Sequence, residues 1–220
     1  MAEGPVVAVR GEVFREVDPE IASFQVTVSA RDKDRQEALR RLASRLDDVR
    51  TVLDGYAEAI EKRETSGMFV HPETKGSGER VTAYSGSVAT TVTVADFAVL
   101  GELMIRLADR DQVTVGGPWW GLRPGSPAYR EARRGAITDA VTRAREYAEA
   151  VGAQVTELLE IADTGMSTNV VYAQDRSVTM RAMAAAVAEP PELNLEPQRQ
   201  QIQGQVEARF RISTPTALAP

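Results

Sequence analysis

A chain of 220 residues, 43% hydrophobic and 26% charged, has ordinary globular composition and is long enough to bury its own core without staples. Its formal charge of −6 argues against general nucleic-acid binding and against anionic membranes, because an acidic chain gains nothing from releasing a polyanion's counterions. The absence of cysteine excludes disulfides, thiolate zinc sites, iron–sulfur clusters and cysteine nucleophiles.

In chain order, residues 6–14 are rich in β-branched side chains and predict a strand. Asp18-Pro19 marks a turn. In the next strand, 21–30, Ala22, Phe24, Val26 and Val28 alternate with Gln25, Thr27 and Ser29, the pattern of a half-buried strand. The two strands together suggest an antiparallel hairpin. Residues 34–54 predict a helix, since Leu39, Leu42, Leu46, Val49 and Leu53 form one apolar stripe. Asp34 with Glu37 three residues on has the form of a capping box, and Gly55 suits a left-handed stop.

A strand over 59–70, a loop over 71–79 and a long strand over 80–94 follow. Asp96 caps a second helix running to Arg110, with Phe97, Leu100, Met104 and Leu107 as its stripe. The strand over 112–122 contains Gly116-Gly117-Pro118-Trp119-Trp120-Gly121. Ser126-Pro127 opens a third helix, running to Val151 and stopping at Gly152. Its alanines 132, 136, 140, 144 and 148 recur every four residues, a row that lets a helix backbone lie close to a sheet or another helix. A strand over 154–162, an irregular stretch over 164–198 and a closing strand over 200–212 complete the chain, with 214–220 as a tail. Strands in mixed groups with few helices predict an α+β fold, antiparallel sheet with three helices packed on it. The expectation is one domain, 1–213, with 164–198 as an insertion.

Few residues carry chemistry. His71 is the sole histidine, it is placed in a loop beside Pro72, and no G-x-S-x-G elbow exists to pair with it. Asp32-Lys33-Asp34 and Asp109-Arg110-Asp111 have alternating acids but do not continue into a calcium loop, and both lie at helix ends. Gly76-Ser77-Gly78 lacks the lysine spacing of a phosphate loop. Glu157 and Glu160, three apart on a strand, should point to opposite faces and so make poor partners. Arg130, Arg133 and Arg134 read first as a solvated helix face balanced by Glu131 and Asp139, with a site for an anion or an acidic partner as the alternative. The expectation is a chain with no catalytic residue, no metal site and no cofactor.

Trp119-Trp120 is the more informative pair. Neighbours on a strand face opposite sides, so one tryptophan can enter a core while the other faces out. The packing reading makes them a lid over the alanine-rich helix. The functional reading makes the outward ring an anchor for a partner. Met180 and Met183, in the stretch Met180-Arg181-Ala182-Met183-Ala184, read either as a pliable interaction arm or as part of a bland insertion.

Several patterns in order carry a family resemblance: Val9-Arg10-Gly11, Asp18-Pro19-Glu20-Ile21-Ala22, Tyr84, Gly117-Pro118-Trp119-Trp120, and Glu131-Ala132 with Ala136, Ala140, Ala144, Tyr147-Ala148 and Gly152. Together with the closing strand 206–212 they make the chain similar to the SIMPL-domain family of bacterial proteins, from about Val6 to Ile212. Glu20 departs from the usual Asp. The resemblance implies an α+β fold with helices on antiparallel sheet, no established catalytic residues, and large ring-like or channel-like assemblies in some relatives.

Three functions follow in order of preference. The first is an interaction or self-assembly module, a homo-oligomer associating through sheet edges, the outward tryptophan or the irregular stretch. The second is a small-ligand binding module, and the third a hydrolase using scattered carboxylates. Residues 1–5 lack the basic and apolar regions of a signal peptide, and no run reaches the ~18 apolar residues of a spanning helix, so the expected location is the cytoplasm.

Overall fold

The computed structural model describes residues 4–75, 80–164 and 195–217. In chain order these form β1 (Val6–Val17), β2 (Ile21–Asp32), α1 (Arg35–Asp54), β3 (Ile60–Lys75) and β4 (Arg80–Val94). A 3-10 turn, Phe97–Val99, leads into α2 (Leu100–Ala108), followed by β5 (Val113–Gly121), α3 (Pro127–Ala150), β6 (Val155–Ala162) and β7 (Gln200–Ile212). The strands make a three-stranded sheet in the order β1-β7-β6 and a four-stranded sheet in the order β3-β4-β2-β5. The fold is α+β, as the sequence implies.

The described residues fall into two compact units. A terminal unit takes the chain up to Val17, the stretch from Pro124 and the stretch from Gln201. A central unit takes Asp18–Arg123 and the stretch ending at Gln200. This division corrects the expected β1–β2 hairpin. The two strands are consecutive, but β1 joins β7 and β2 lies between β4 and β5. Only three residues separate them, and nothing local in those residues states which strand each will pair with.

In the central unit, β2 buries Ala22, Phe24, Val26, Val28 and Ala30 on alternate positions, as the period of two requires. Its register with β4 sets Phe24 opposite Val92 and Val28 opposite Val88, so both strands turn their apolar side the same way. Leu42, Val49 and Leu53 of α1 and Leu100, Leu103 and Leu107 of α2 close over that side in one buried cluster. The opposite side of the sheet presents Ser23, Gln25, Thr27 and Ser29.

Local chemistry sets the ends of the helices. The Asp34 carboxylate accepts the Glu37 N–H at 2.9 Å, the expected cap. The reciprocal half of the box is not made: the Asp34 N–H goes to Asp32, and Glu37 pairs with Arg40 and Arg41. Gly55 ends α1 in the right-handed region at φ −64°, not the left-handed one, while Gly152, past the end of α3, takes the left-handed region at φ +69°. The Asp34 N–H, above all, holds the Asp32 carboxyl below its ordinary range, with Arg41 helping and burial opposing. A depressed folded pKa adds stability that is present at neutral pH and lost as the pH falls below about 4. Asp32→Asn should therefore flatten the acid limb of a stability-against-pH curve while leaving its neutral-to-alkaline shape unchanged.

The terminal unit is built on close approach. Val9, Val206, Ala208 and Phe210 meet Ala136, Ala140 and Ala144 in one buried cluster. All five alanines of the predicted row are buried. Glycines stand beneath the helix on the facing strands: a Cβ on Gly11 would lie 2.0 Å from the Ala136 carbonyl oxygen, and one on Gly204 would lie 2.2 Å from that of Ala132. Small residues on both sides thus let the α3 backbone rest on the strands.

Candidate interaction surfaces

Among the described residues the sheets have four edge strands: β1 and β6 in the terminal unit, β3 and β5 in the central one. An edge presents unpaired backbone N–H and C=O groups, and proteins ordinarily blunt edges with proline, charge, bulges or a covering element.

Each edge carries some such device. On β5, Pro118 has no N–H to donate, and the pairing with β2 shifts register between Ser23 and Gln25. On β3, Glu61, Lys62, Arg63 and Glu64 form a charged run, and the register with β4 breaks three times. Its exposed Met68 and Phe69 are neighbours and point to opposite faces. On β1, α3 reaches down: the Glu12 backbone N–H donates to Asp139 at 2.8 Å, and Arg15 pairs with Glu131.

The β6 edge has register shifts and two glutamates as well, but it also exposes apolar side chains. Leu158, Leu159 and Ile161 are 51%, 36% and 47% exposed on a strand of 8 residues. Leu158 stands opposite Phe210 and Ile161 opposite Ala208, both buried beneath α3. Cross-strand partners share a face, so these two side chains continue the buried layer outward past the last strand. The register shift between Leu158 and Glu160 brings them to one face although they are three apart.

The same bulge corrects the expectation for Glu157 and Glu160. They do not point to opposite faces: Glu157 bonds Arg211 at 2.9 Å and Glu160 bonds Arg209 at 3.5 Å, and those arginines alternate along one side of β7. Each glutamate meets an arginine and not the other glutamate.

The tryptophans divide as the alternation requires. Trp120 is half-buried and meets Phe97 edge-on, ring centroids 4.9 Å apart, against the central unit's core. Trp119 is 47% exposed. The lid over the alanine-rich helix is corrected: Trp120 covers Phe97, and the alanines lie on β1 and β7. Trp120→Ala should cost about 2 kcal/mol, since it removes a large, partly buried ring, and Trp119→Ala should stay within about 0.5 kcal/mol. Urea unfolding of the two variants checks the contrast. Met180 and Met183 lie outside the described residues.

His71 is not in a loop. β3 runs on to Lys75, and His71 pairs with Ser85 as an exposed strand residue. Glu131 and Asp139 turn toward β1 and do not balance Arg130, Arg133 and Arg134. Gly76-Ser77-Gly78 lies outside the described residues. Among the described residues no three His, Asp or Glu side chains converge as a metal would need.

A cleft of about 270 Å³ opens in the central unit between α1 and β3–β4. Its arginines are already engaged: Arg63 bonds Asp54 and the Leu53 carbonyl, and Arg50 bonds Asp47 beyond the lining. At a second cleft, Tyr56 donates to Glu102 at 2.9 Å and lies under Arg106. Burial first, and that hydrogen bond second, raise the phenol's pKa, so it keeps its proton at neutral pH. No helix among the described residues is long and apolar enough to cross a membrane.

An alanine-rich helix seated on strand glycines, a second sheet with two helices and the tryptophan strand belong to one fold class. The family model described as "SIMPL: Protein of unknown function" matches residues 7–210, and the chain belongs to that family. It is also similar to the 26 kDa periplasmic immunogenic proteins of Brucella melitensis and Brucella abortus, 28% identical over 172 residues in each case. That alignment covers 71% of this chain and 66% of each relative, so the chain spans just under two thirds of their length. The expected cytoplasmic location is overturned by these relatives, both of which are named periplasmic.

Proposed function

We propose that this protein is a non-catalytic interaction module of the periplasm that self-associates through the edge of a sheet. One observation carries the reading. The β6 edge exposes Leu158, Leu159 and Ile161, and two of these continue a buried layer past the last strand. An exposed apolar edge is a template for pairing with another chain. The periplasmic location rests on the names of the two relatives. The non-catalytic part rests on what the sequence lacks, cysteine and all but one histidine, and on a cleft whose arginines are already bonded within the chain.

Native mass spectrometry of the purified chain tests the assembly. The expected result is a mass at a multiple of 23.9 kDa, and a monomer at every concentration would overturn it. A turnover that a single carboxylate substitution abolishes would overturn the non-catalytic part.

A further inference from the structure

We infer that two copies of this chain meet β6 to β6 about a twofold axis, joining their three-stranded sheets into one six-stranded sheet. The inference rests on the self-assembly reading and names its interface.

Three observations select this partner. The first is the apolar shelf. Leu158 and Ile161 extend the row begun by Phe210 and Ala208, so the terminal unit's core is laid open along β6. Gly135 and Asp139 of α3 lie over Val13 and Glu12 of β1, so Ile137 falls on the helix flank turned away from β1, and it too is exposed. The open row therefore has an apolar floor on β6. A surface of this kind is what a core cut in half leaves, and a second identical half completes it.

The second observation is charge. An edge bearing two bare carboxylates would repel its own copy. Glu157 and Glu160 are instead bonded to Arg211 and Arg209 of the same chain, so each edge brings neutralised pairs to the other.

The third observation decides the symmetry. Head-to-tail addition would set β6 of one copy against β1 of the next and produce a ring or a filament. On β1 the Glu12 N–H is already donated to Asp139, and Arg15 is held by Glu131. A backbone donor committed to its own helix is withdrawn from an incoming strand. The β6 edge has no such cover among the described residues, and an edge that pairs with itself does so about a twofold axis, as an isologous contact.

The test uses the full chain. Leu158→Lys and Ile161→Lys place a charge where the side chain is already half exposed, so the fold should survive, and far-UV circular dichroism checks that it does. Each should weaken association by about tenfold or more in concentration-dependent native mass spectrometry. Thr114→Lys on β5 should leave it unchanged. Because the chain lacks cysteine, a single one introduced as Leu159→Cys reports proximity. It should give a disulfide-linked dimer under mild oxidation, and Phe14→Cys on β1 should not.

An oligomer that both lysine variants leave intact, with no cross-link at 159, overturns the β6 interface and leaves the self-assembly reading standing. An oligomer with an odd number of subunits overturns the twofold. A wild-type chain that stays monomeric overturns both.

Discussion

Gly11→Ala is expected to destabilise the protein by about 3 kcal/mol, the upper end of what overpacking a well-filled contact costs. The added methyl would stand 2.0 Å from the Ala136 carbonyl oxygen, 2.6 Å from the Ala140 nitrogen and 2.7 Å from its Cβ. Two of these neighbours are backbone atoms, so no rotamer change relieves the clash, and α3 must lift off β1. Trimming the neighbour should fail too: Gly11→Ala combined with Ala140→Gly removes the 2.7 Å contact and leaves the two closer ones in place. Gly204→Ala on β7 should behave alike, with Ala132 as the obstacle. Gly125→Ala is the control, since nothing lies within 4 Å of the added carbon, and its stability should change by no more than about 0.5 kcal/mol. Urea unfolding followed by circular dichroism measures all four. A Gly11→Ala variant as stable as the wild type would mean that the alanine row does not rest on the strand.

This contact marks where the sequence stops being legible. The row Ala132, Ala136, Ala140, Ala144 and Ala148 announces a helix with one smooth side, because spacing by four is a local property. What it rests against is not local. Gly11 and Gly204 are separated by almost the whole chain, and nothing in either segment states that both lie beneath the same helix. For the same reason the ends of α1 and α3 could be read within a residue or two, while the pairing of β1 with β7 could not. The hairpin expected of β1 and β2 followed from their adjacency, and adjacency is a tendency that a long-range contact overrides.

The β6 edge was illegible for a different reason. Leu158, Leu159 and Ile161 in a short strand look like core residues. Their exposure depends on how far α3 extends across the sheet and on a bulge that turns Leu158 and Ile161 to one face. The alternation rule fails at a bulge, and the same failure misplaced Glu157 and Glu160. Trp119 and Trp120 were easier to sort, because β5 pairs regularly with β2 at Ser23 and Ala22 and simple alternation holds there.

Phe24→Ala should cost about 3–5 kcal/mol, as expected when a large, fully buried ring leaves a cavity that its surroundings fill only in part. Phe24 has no exposed surface and sits opposite Val92 in the central unit. On its other side the β5 register is interrupted between Ser23 and Gln25, and the chain passes close: a Cβ on Gly117 would lie 3.0 Å from the Phe24 Cβ. The gap is therefore bounded by backbone on one side and by a β-branched side chain on the other, and neither moves into it readily. Both tryptophans lie on β5, so their fluorescence reports the unfolding of the central unit. Phe24→Ala should shift the fluorescence midpoint in urea strongly, and Leu158→Lys should barely move it, because Leu158 belongs to the terminal unit and is already half exposed. A Phe24→Ala midpoint within about 0.5 kcal/mol of the wild type would mean that the central core closes over the missing ring, and that its packing is looser than the register of β2 with β4 and β5 implies.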